Sequence, residues 1–404
     1  MVPGSEMVNT VETFYRDFEC SLENFSLFTG EAGAVFIQSL SGLTGNTADM
    51  DPALFSSIRQ NIDHIIKVVE NSDDIEFNHC SGLSGIGWLM AFLCEKNMLD
   101  ESYHPLLKDI DVFLTKALDY YFARSEYDLL FGYLGIGIYF LRRKVRRGNV
   151  CRIINHLREK AERIGNEWLW RRYSANDSTA IYDMGLAHGN AGILYFLGKC
   201  YQAGIKKKEC RQMARGIIRF YLNKADGAET LNGACFPHSI PCAEYGKTPQ
   251  KSFSRLAWCY GDLGVLYTLY TVTEWLDLNG SLKQHLLSML IQSSKRLTYD
   301  QTGINEISVC HGTSGAGLLF LLPYDCTGEV AFKIAASHWL RESVLLLEQK
   351  KERLFKKRIE SNDEFSGHYD LLNGLSGCAV LLLIQQYPDM LRCHSDLLEA
   401  LFLG

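Results

Sequence analysis

The sequence predicts an all-α fold in which seven helix pairs close into a ring, and three observations lead there. A Gly-x-x-Gly unit opening an apolar run recurs seven times, and amphipathic stretches of helical period lie between the units. No regularly spaced alternating strands or hairpin turns accompany them. The first glycines are Gly30, Gly82, Gly132, Gly189, Gly261, Gly312 and Gly374, at intervals of 52, 50, 57, 72, 51 and 62 residues, each with room for a pair of helices. At 404 residues, 47% of them apolar and 12% aromatic, the chain can bury a large core and is read as one domain over 1–404.

In chain order, Val2-Pro3-Gly4-Ser5 ahead of a second methionine looks like vector sequence, so residues 1–6 carry no weight. Each Gly-x-x-Gly then precedes a run apolar on nearly every side, such as IGWLMAFL after Gly82 and ILYFL after Gly189, which marks a buried inner helix beginning at the glycines. Outer helices are expected between them. One covers 104–123, where Leu106, Ile110, Phe113, Ala117 and Tyr121 recur in steps of three or four, and another 150–169, with Ile153, Leu157, Ala161, Ile164 and Trp168. Residues 225–254 hold Pro237, Pro241 and Pro249 and several glycines, a non-helical insertion that accounts for the longest interval. An open solenoid needs polar terminal caps, whereas the first and last units are as apolar as the middle ones. Closure follows, with the glycines letting backbones approach at a crowded axis. Basic runs at 142–147 and 350–358 read as solvated faces or helix C-terminal charges.

A net charge of −6 gives no general attraction for nucleic acid or anionic lipid. The apolar runs fall well short of the ~20 residues that span a bilayer. Thirteen cysteines, an odd number, and an N-terminus without a signal pattern point to reduced thiols in a cytoplasm.

Aligned on the first glycine, the two preceding positions read Phe28-Thr29, Cys80-Ser81, Leu130-Phe131, Ala187-His188, Cys259-Tyr260, Cys310-His311 and Leu372-Asn373. Inner helices of one orientation would gather these side chains at one mouth of the ring, each just before a helix N-terminus. Cys259, Cys310 and His311 then make a Cys₂His zinc site with its fourth position open, the helix dipoles favouring the thiolates. A lone cysteine in such a repeat is ordinarily a core residue, but two at matching positions beside a histidine favour the metal. Cys235, His238 and Cys242 form a rival set without repeat register, and His79-Cys80 is read as core packing. His188 shares the register of His311 and suits general acid–base work. Asp128, like Asp370, lies four residues before its glycine, where a helix cap and a catalytic carboxylate are both open. Arg255 would set a positive charge beside the thiolates, and Tyr260 adjoins a ligand but could equally be packing.

SRLAWCYGDLG, SVCHGTSGAG and GLAHGNAG on the sevenfold glycine background resemble the lanthionine synthetase C-like family over about residues 30–400. The resemblance implies an (α/α)₇ toroid that binds one Zn²⁺ per chain through Cys259, Cys310 and His311. It implies an enzyme that adds a peptide cysteine thiol to dehydroalanine or dehydrobutyrine, forming lanthionine or methyllanthionine thioethers. His188, Arg255, Asp128 and Tyr260 then match the family's active-site groups, any of which could return the proton. The partners implied are a dehydrated precursor peptide with its leader, a separate dehydratase, because the chain has no room for one, and a transporter complex. Relatives that add glutathione to dehydroamino acids are an alternative, as is a zinc-containing peptide-binding adaptor. A zinc prenyltransferase lacks its ligand set here, and an (α/α) glycosidase lacks paired carboxylates in the shared register.

Overall fold

A computed structural model describes residues 5–21, 24–43, 51–173, 179–225, 231–247, 253–354, 369–389 and 399–403. Seven helices begin directly after the first glycines: α2 (Glu31–Ser41), α4 (Leu83–Glu95), α6 (Tyr133–Arg143), α8 (Asn190–Gln202), α10 (Asp262–Trp275), α13 (Thr313–Thr327) and α15 (Leu375–Gln386). Between or before them run α1 (Ser5–Arg16), α3 (Pro52–Glu70), α5 (His104–Arg124), α7 (Arg147–Lys160), α9 (Lys207–Ala225), α11 (Gly280–Ser293) and α14 (Val330–Leu354), with a short α12 (Tyr299–Thr302). The glycine-led helices are buried almost throughout, as in α4 from Leu83 to Leu93, whereas α3 buries only one stripe containing Leu54, Ile58, Ile62 and Ile65. The inner and outer classes of the sequence reading therefore hold. No helix among the described residues is long and apolar enough to cross a membrane.

The glycines have a more specific purpose than helix–helix approach. In five of the turns the residue after the first glycine donates its N–H to the carbonyl seven residues earlier: Glu31 to Asn24 (2.9 Å), Leu83 to Glu76 (2.9 Å), Tyr133 to Glu126 (2.9 Å), Asp262 to Arg255 (3.2 Å) and Thr313 to Glu306 (2.8 Å). This bond satisfies one of the donors that a helix N-terminus leaves open. It also folds the preceding loop tightly over the helix start. A Cβ on Gly82 would sit 2.3 Å from the Glu76 carbonyl oxygen, and one on Gly264 only 2.0 Å from that of Trp258. The spacing is thus set by two carbonyls of the same loop. Gly261 alone among the first glycines takes a positive φ, 98°, closed to other residues at little cost.

The chain falls into two compact units, one of residues 1–117, 306–317 and 337–404, the other of 118–305 and 318–336. In the first, α15 packs on both α1 and α2, so the last repeat lies beside the first, where an open stack would hold them apart. Backbone bonds join the glycine turns there: Phe28 N–H to Cys80 O (3.1 Å), Leu372 N–H to Phe28 O (3.1 Å) and Cys310 N–H to Leu372 O (3.0 Å). His79 and Cys80 are buried in this unit, His79 among Phe28, Trp88 and Phe402, as the core reading expected. In the second unit the turns are joined through Leu129 N–H to Ala187 O (3.2 Å) and Ala187 N–H to Cys259 O (3.0 Å).

Two expectations are corrected. Residues 150–169 are not one helix: α7 ends at Lys160, and a hairpin of β1 (Glu162–Ile164) and β2 (Glu167–Leu169) follows. Gly165, with φ of 59°, turns the chain, and Trp168 packs against Gly216 of α9, where a Cβ would come within 2.2 Å of the indole. The non-helical insertion is not confined to 225–254. Its strand β5 (Ser239–Pro241) pairs with β4 (Ala180–Asp183), which pairs with β3 (Arg172–Tyr173), so an earlier segment shares the excursion. Ser5 and Glu6, given no weight above, belong to α1, whose Met7, Val8, Val11 and Tyr15 are buried. Of the basic runs, Arg142 and Arg143 occupy the last turn of α6, Arg142 buried. Pro249 and residues 355–358 lie outside the described residues.

Candidate functional site

Cys259, Cys310 and His311 come together: one ligand atom from each lies within 4.8 Å of the other two, the only such group of three or more among the described residues. Tetrahedral zinc with bonds of about 2.0–2.3 Å sets its ligand atoms roughly 3.3–3.8 Å apart, so a small contraction would complete the geometry. Cys259 is 2% exposed and Cys310 9%, which removes the thiols from bulk water. Glu306 Oε1 holds His311 Nε2 at 2.9 Å and also accepts from Ser308 Oγ at 2.7 Å. The carboxylate fixes the ring, leaving Nδ1 as the atom suited to a metal, the second-shell arrangement metal-binding histidines commonly show. Two buried thiols and a carboxylate-oriented imidazole therefore fit zinc.

Asp128 caps its turn and also meets His188. Its Oδ1 accepts from the backbone N–H of Leu130 (2.8 Å) and Phe131 (2.9 Å), capping the turn before α6, while Oδ2 lies 2.6 Å from His188 Nδ1. Asp370 caps its own turn in the same way, through Leu372 and Asn373. Burial opposes a charge on His188, but the Asp128 hydrogen bond and the charges of Asp128 and Asp183 outweigh it, and the pKa is raised. Phe131 stacks on the imidazole at 5.9 Å. Because Ala187 donates to the Cys259 carbonyl, His188 sits on the turn directly joined to the one that carries Cys259.

The sequence reading missed Arg172 and Asp183. Arg172 Nη1 reaches Asp183 Oδ2 at 3.2 Å, the His188 carbonyl at 3.3 Å and Asp128 Oδ2 at 3.9 Å. Asp183 also accepts from Gly185 N–H at 2.8 Å, and burial raises its pKa. Both residues sit on strands that the all-helical expectation did not contain. Asp183 and Glu306 stand six residues before a first glycine, as Arg255 does, a register beyond the two positions aligned above, and that alignment extended backwards would have added both.

Arg255 and Tyr260 both meet His238. The Arg255 backbone N–H donates to His238 Nε2 at 3.1 Å, and the Tyr260 ring meets His238 edge-on at 4.6 Å. Burial, with the Arg255 charge second, lowers the His238 pKa. The rival metal set is dispersed. His238 spends its Nε2 on that bond, Cys235 lies near Asp262, Ser293 and Arg296, and Cys242 near Arg171 and Tyr182. Beneath the turn, Asp262 is fully buried, bonded to Arg296 Nη1 (2.6 Å) and to the backbone N–H of Cys235 (2.8 Å) and Phe236 (3.0 Å). Burial pushes its pKa up to about 6.

The sequence pattern of the family described as "Lanthionine synthetase C-like protein" matches residues 21–398. Among solved structures the chain is similar to nisin cyclase, at 21% identity over 98% of this chain and 96% of that one, with a TM-score of 0.74. The two share one fold, the helical toroid expected from the repeats. With nearly its whole length matched, this chain belongs to the lanthionine synthetase C-like family.

Proposed function

We propose that the chain is a zinc-dependent cyclase of dehydrated peptides, adding a peptide cysteine thiol to dehydroalanine or dehydrobutyrine to form a thioether ring. The convergence of Cys259, Cys310 and His311 carries this reading. Zinc held by these three residues, one ion per chain, would supply a Lewis acid with an open position that favours a thiolate at neutral pH. Addition forms the S–Cβ bond and breaks the Cα=Cβ π bond, whose electron pair moves onto the peptide carbonyl oxygen as an enolate. A proton then goes to Cα, and the product is an isomer of the substrate.

His188 is the proposed proton carrier. Asp128 engages its Nδ1, so Nε2 is the nitrogen able to exchange a proton with substrate, and the raised pKa keeps the protonated form populated near neutrality. Arg172 holds the dyad through Asp128 and the His188 carbonyl. Arg255 and Tyr260, next to Cys259 in sequence, are proposed to steady the enolate oxygen. The substrate would be a leader-bearing precursor delivered by a separate dehydratase, with a transporter complex as a further partner and the cytoplasm as the site of action.

Incubation of the zinc-loaded protein with a dehydrated, cysteine-containing peptide tests this directly. Mass spectrometry after thiol alkylation should show loss of alkylable thiol at constant mass, and Cys310→Ala should lose both bound zinc and activity. Undiminished alkylation would count against cyclisation. Addition of glutathione to the peptide, read as a mass gain, would favour the alternative thiol.

A further inference from the structure

Apart from these residues, the second unit carries a groove of about 770 Å³ lined by Arg163, Lys207, Lys208, Arg211, Arg215 and Arg219 with no acidic residue in its wall. None of the six forms an ion pair among the described residues, in a protein whose net charge is −6. Arg211, Arg215 and Arg219 follow one another at i, i+4 along α9, where like charges oppose helix formation. Arg211 Nε is buried without a hydrogen-bond partner. A stripe that costs the helix stability and leaves donors unspent is matched to an anion that completes it.

We propose that this groove binds an extended acidic segment of a partner polypeptide. Three features favour a peptide. Successive arginines on a helix face stand about 5–6 Å apart, close to the roughly 6.6 Å between alternate residues of an extended chain, so carboxylates at every second position meet one guanidinium each. Trp168 and Tyr201 add apolar surface between the cations, which bare phosphate would not use. Strand β1 pairs only with β2 among the described strands, so its other backbone edge is open to an added strand, and Arg163 lies on it with the guanidinium 4.0 Å above Trp168. This proposal does not depend on the thiol chemistry.

Fluorescence anisotropy with a short labelled peptide alternating Glu and Thr tests it on the full chain. The expected result is binding that weakens with added salt and falls roughly tenfold in Arg215→Glu, because an attraction becomes a repulsion. The same substitution sets opposite charges at i, i+4 on both sides, so the melting temperature should rise slightly or hold while affinity drops. Arg215→Lys should retain most of the binding. Equal affinity in wild type and Arg215→Glu would overturn the proposal. So would displacement of the peptide by oligothymidylate or by phosphatidylserine vesicles at lower charge concentration than the unlabelled peptide, pointing to nucleic acid or membrane instead.

Discussion

Replacing Asp128 with Asn separates its two roles. The amide oxygen can still accept from Leu130 and Phe131 N–H, so the turn before α6 keeps its cap. The atom facing His188 Nδ1 changes from a charged acceptor to a neutral donor. A hydrogen bond to a charged group contributes about 1.5–3 kcal/mol, and the side chains here are 30% and 16% exposed, which places this one near the lower figure. About 1.4 kcal/mol is tenfold in a protonation equilibrium, so the ratio of protonated to neutral His188 at a given pH should fall by roughly ten. NMR titration of ¹³C-labelled histidine reads this without any substrate, and the pH profile of thiol loss reads it in catalysis. The midpoint of His188 should move down in Asp128→Asn, because burial then acts without its counterweight. Stability carries the same signature. A histidine whose folded pKa is raised contributes stability present below the unfolded value of about 6.5 and lost as pH rises through the folded value. Urea midpoints of the wild type should therefore decline over that window, and those of Asp128→Asn should decline less. Asp128→Ala should show the same titration shift and lose about 0.5–2 kcal/mol more through the missing cap. An unmoved His188 midpoint in Asp128→Asn would refute the pairing as the source of the shift.

Further outcomes are expected. Glu306→Gln should weaken zinc binding by roughly 10–100-fold in chelator competition, because the imidazole loses its orienting carboxylate. Arg296→Leu strands a buried carboxylate and should cost about 3–5 kcal/mol in denaturant unfolding at pH 8. The loss should shrink at pH 5, since Asp262, already pushed up to about 6, is neutral there. Gly264→Ala drives a Cβ into the Trp258 carbonyl and should destabilise by about 1–3 kcal/mol or more, read by thermal melting, with zinc retention falling because the same turn carries Cys259.

The repeat, the buried and amphipathic helix classes and the ligand register were legible in the chain because each depends on local spacing. Apolar periodicity distinguishes inner from outer helices, and a Gly-x-x-Gly whose loop must fold back over the helix start cannot carry other side chains without collision. Cys259, Cys310 and His311 followed from that register, since homologous turns present homologous positions. Periodicity misled at 161–169: Ala161, Ile164 and Trp168 keep a helical step, yet Gly165 turns the chain and Trp168 seats on Gly216 of α9, a contact spanning dozens of residues.

Only the tertiary structure decided the pairing of Asp128 with His188, sixty positions apart, and the placement of Arg172 and Asp183 around them on strands of the excursion. Sequence spacing can say which residues share a position in the repeat. It cannot say which charges meet, because that depends on backbone bonds between turns, such as Leu129 to Ala187, which bring distant segments within a hydrogen bond of one another.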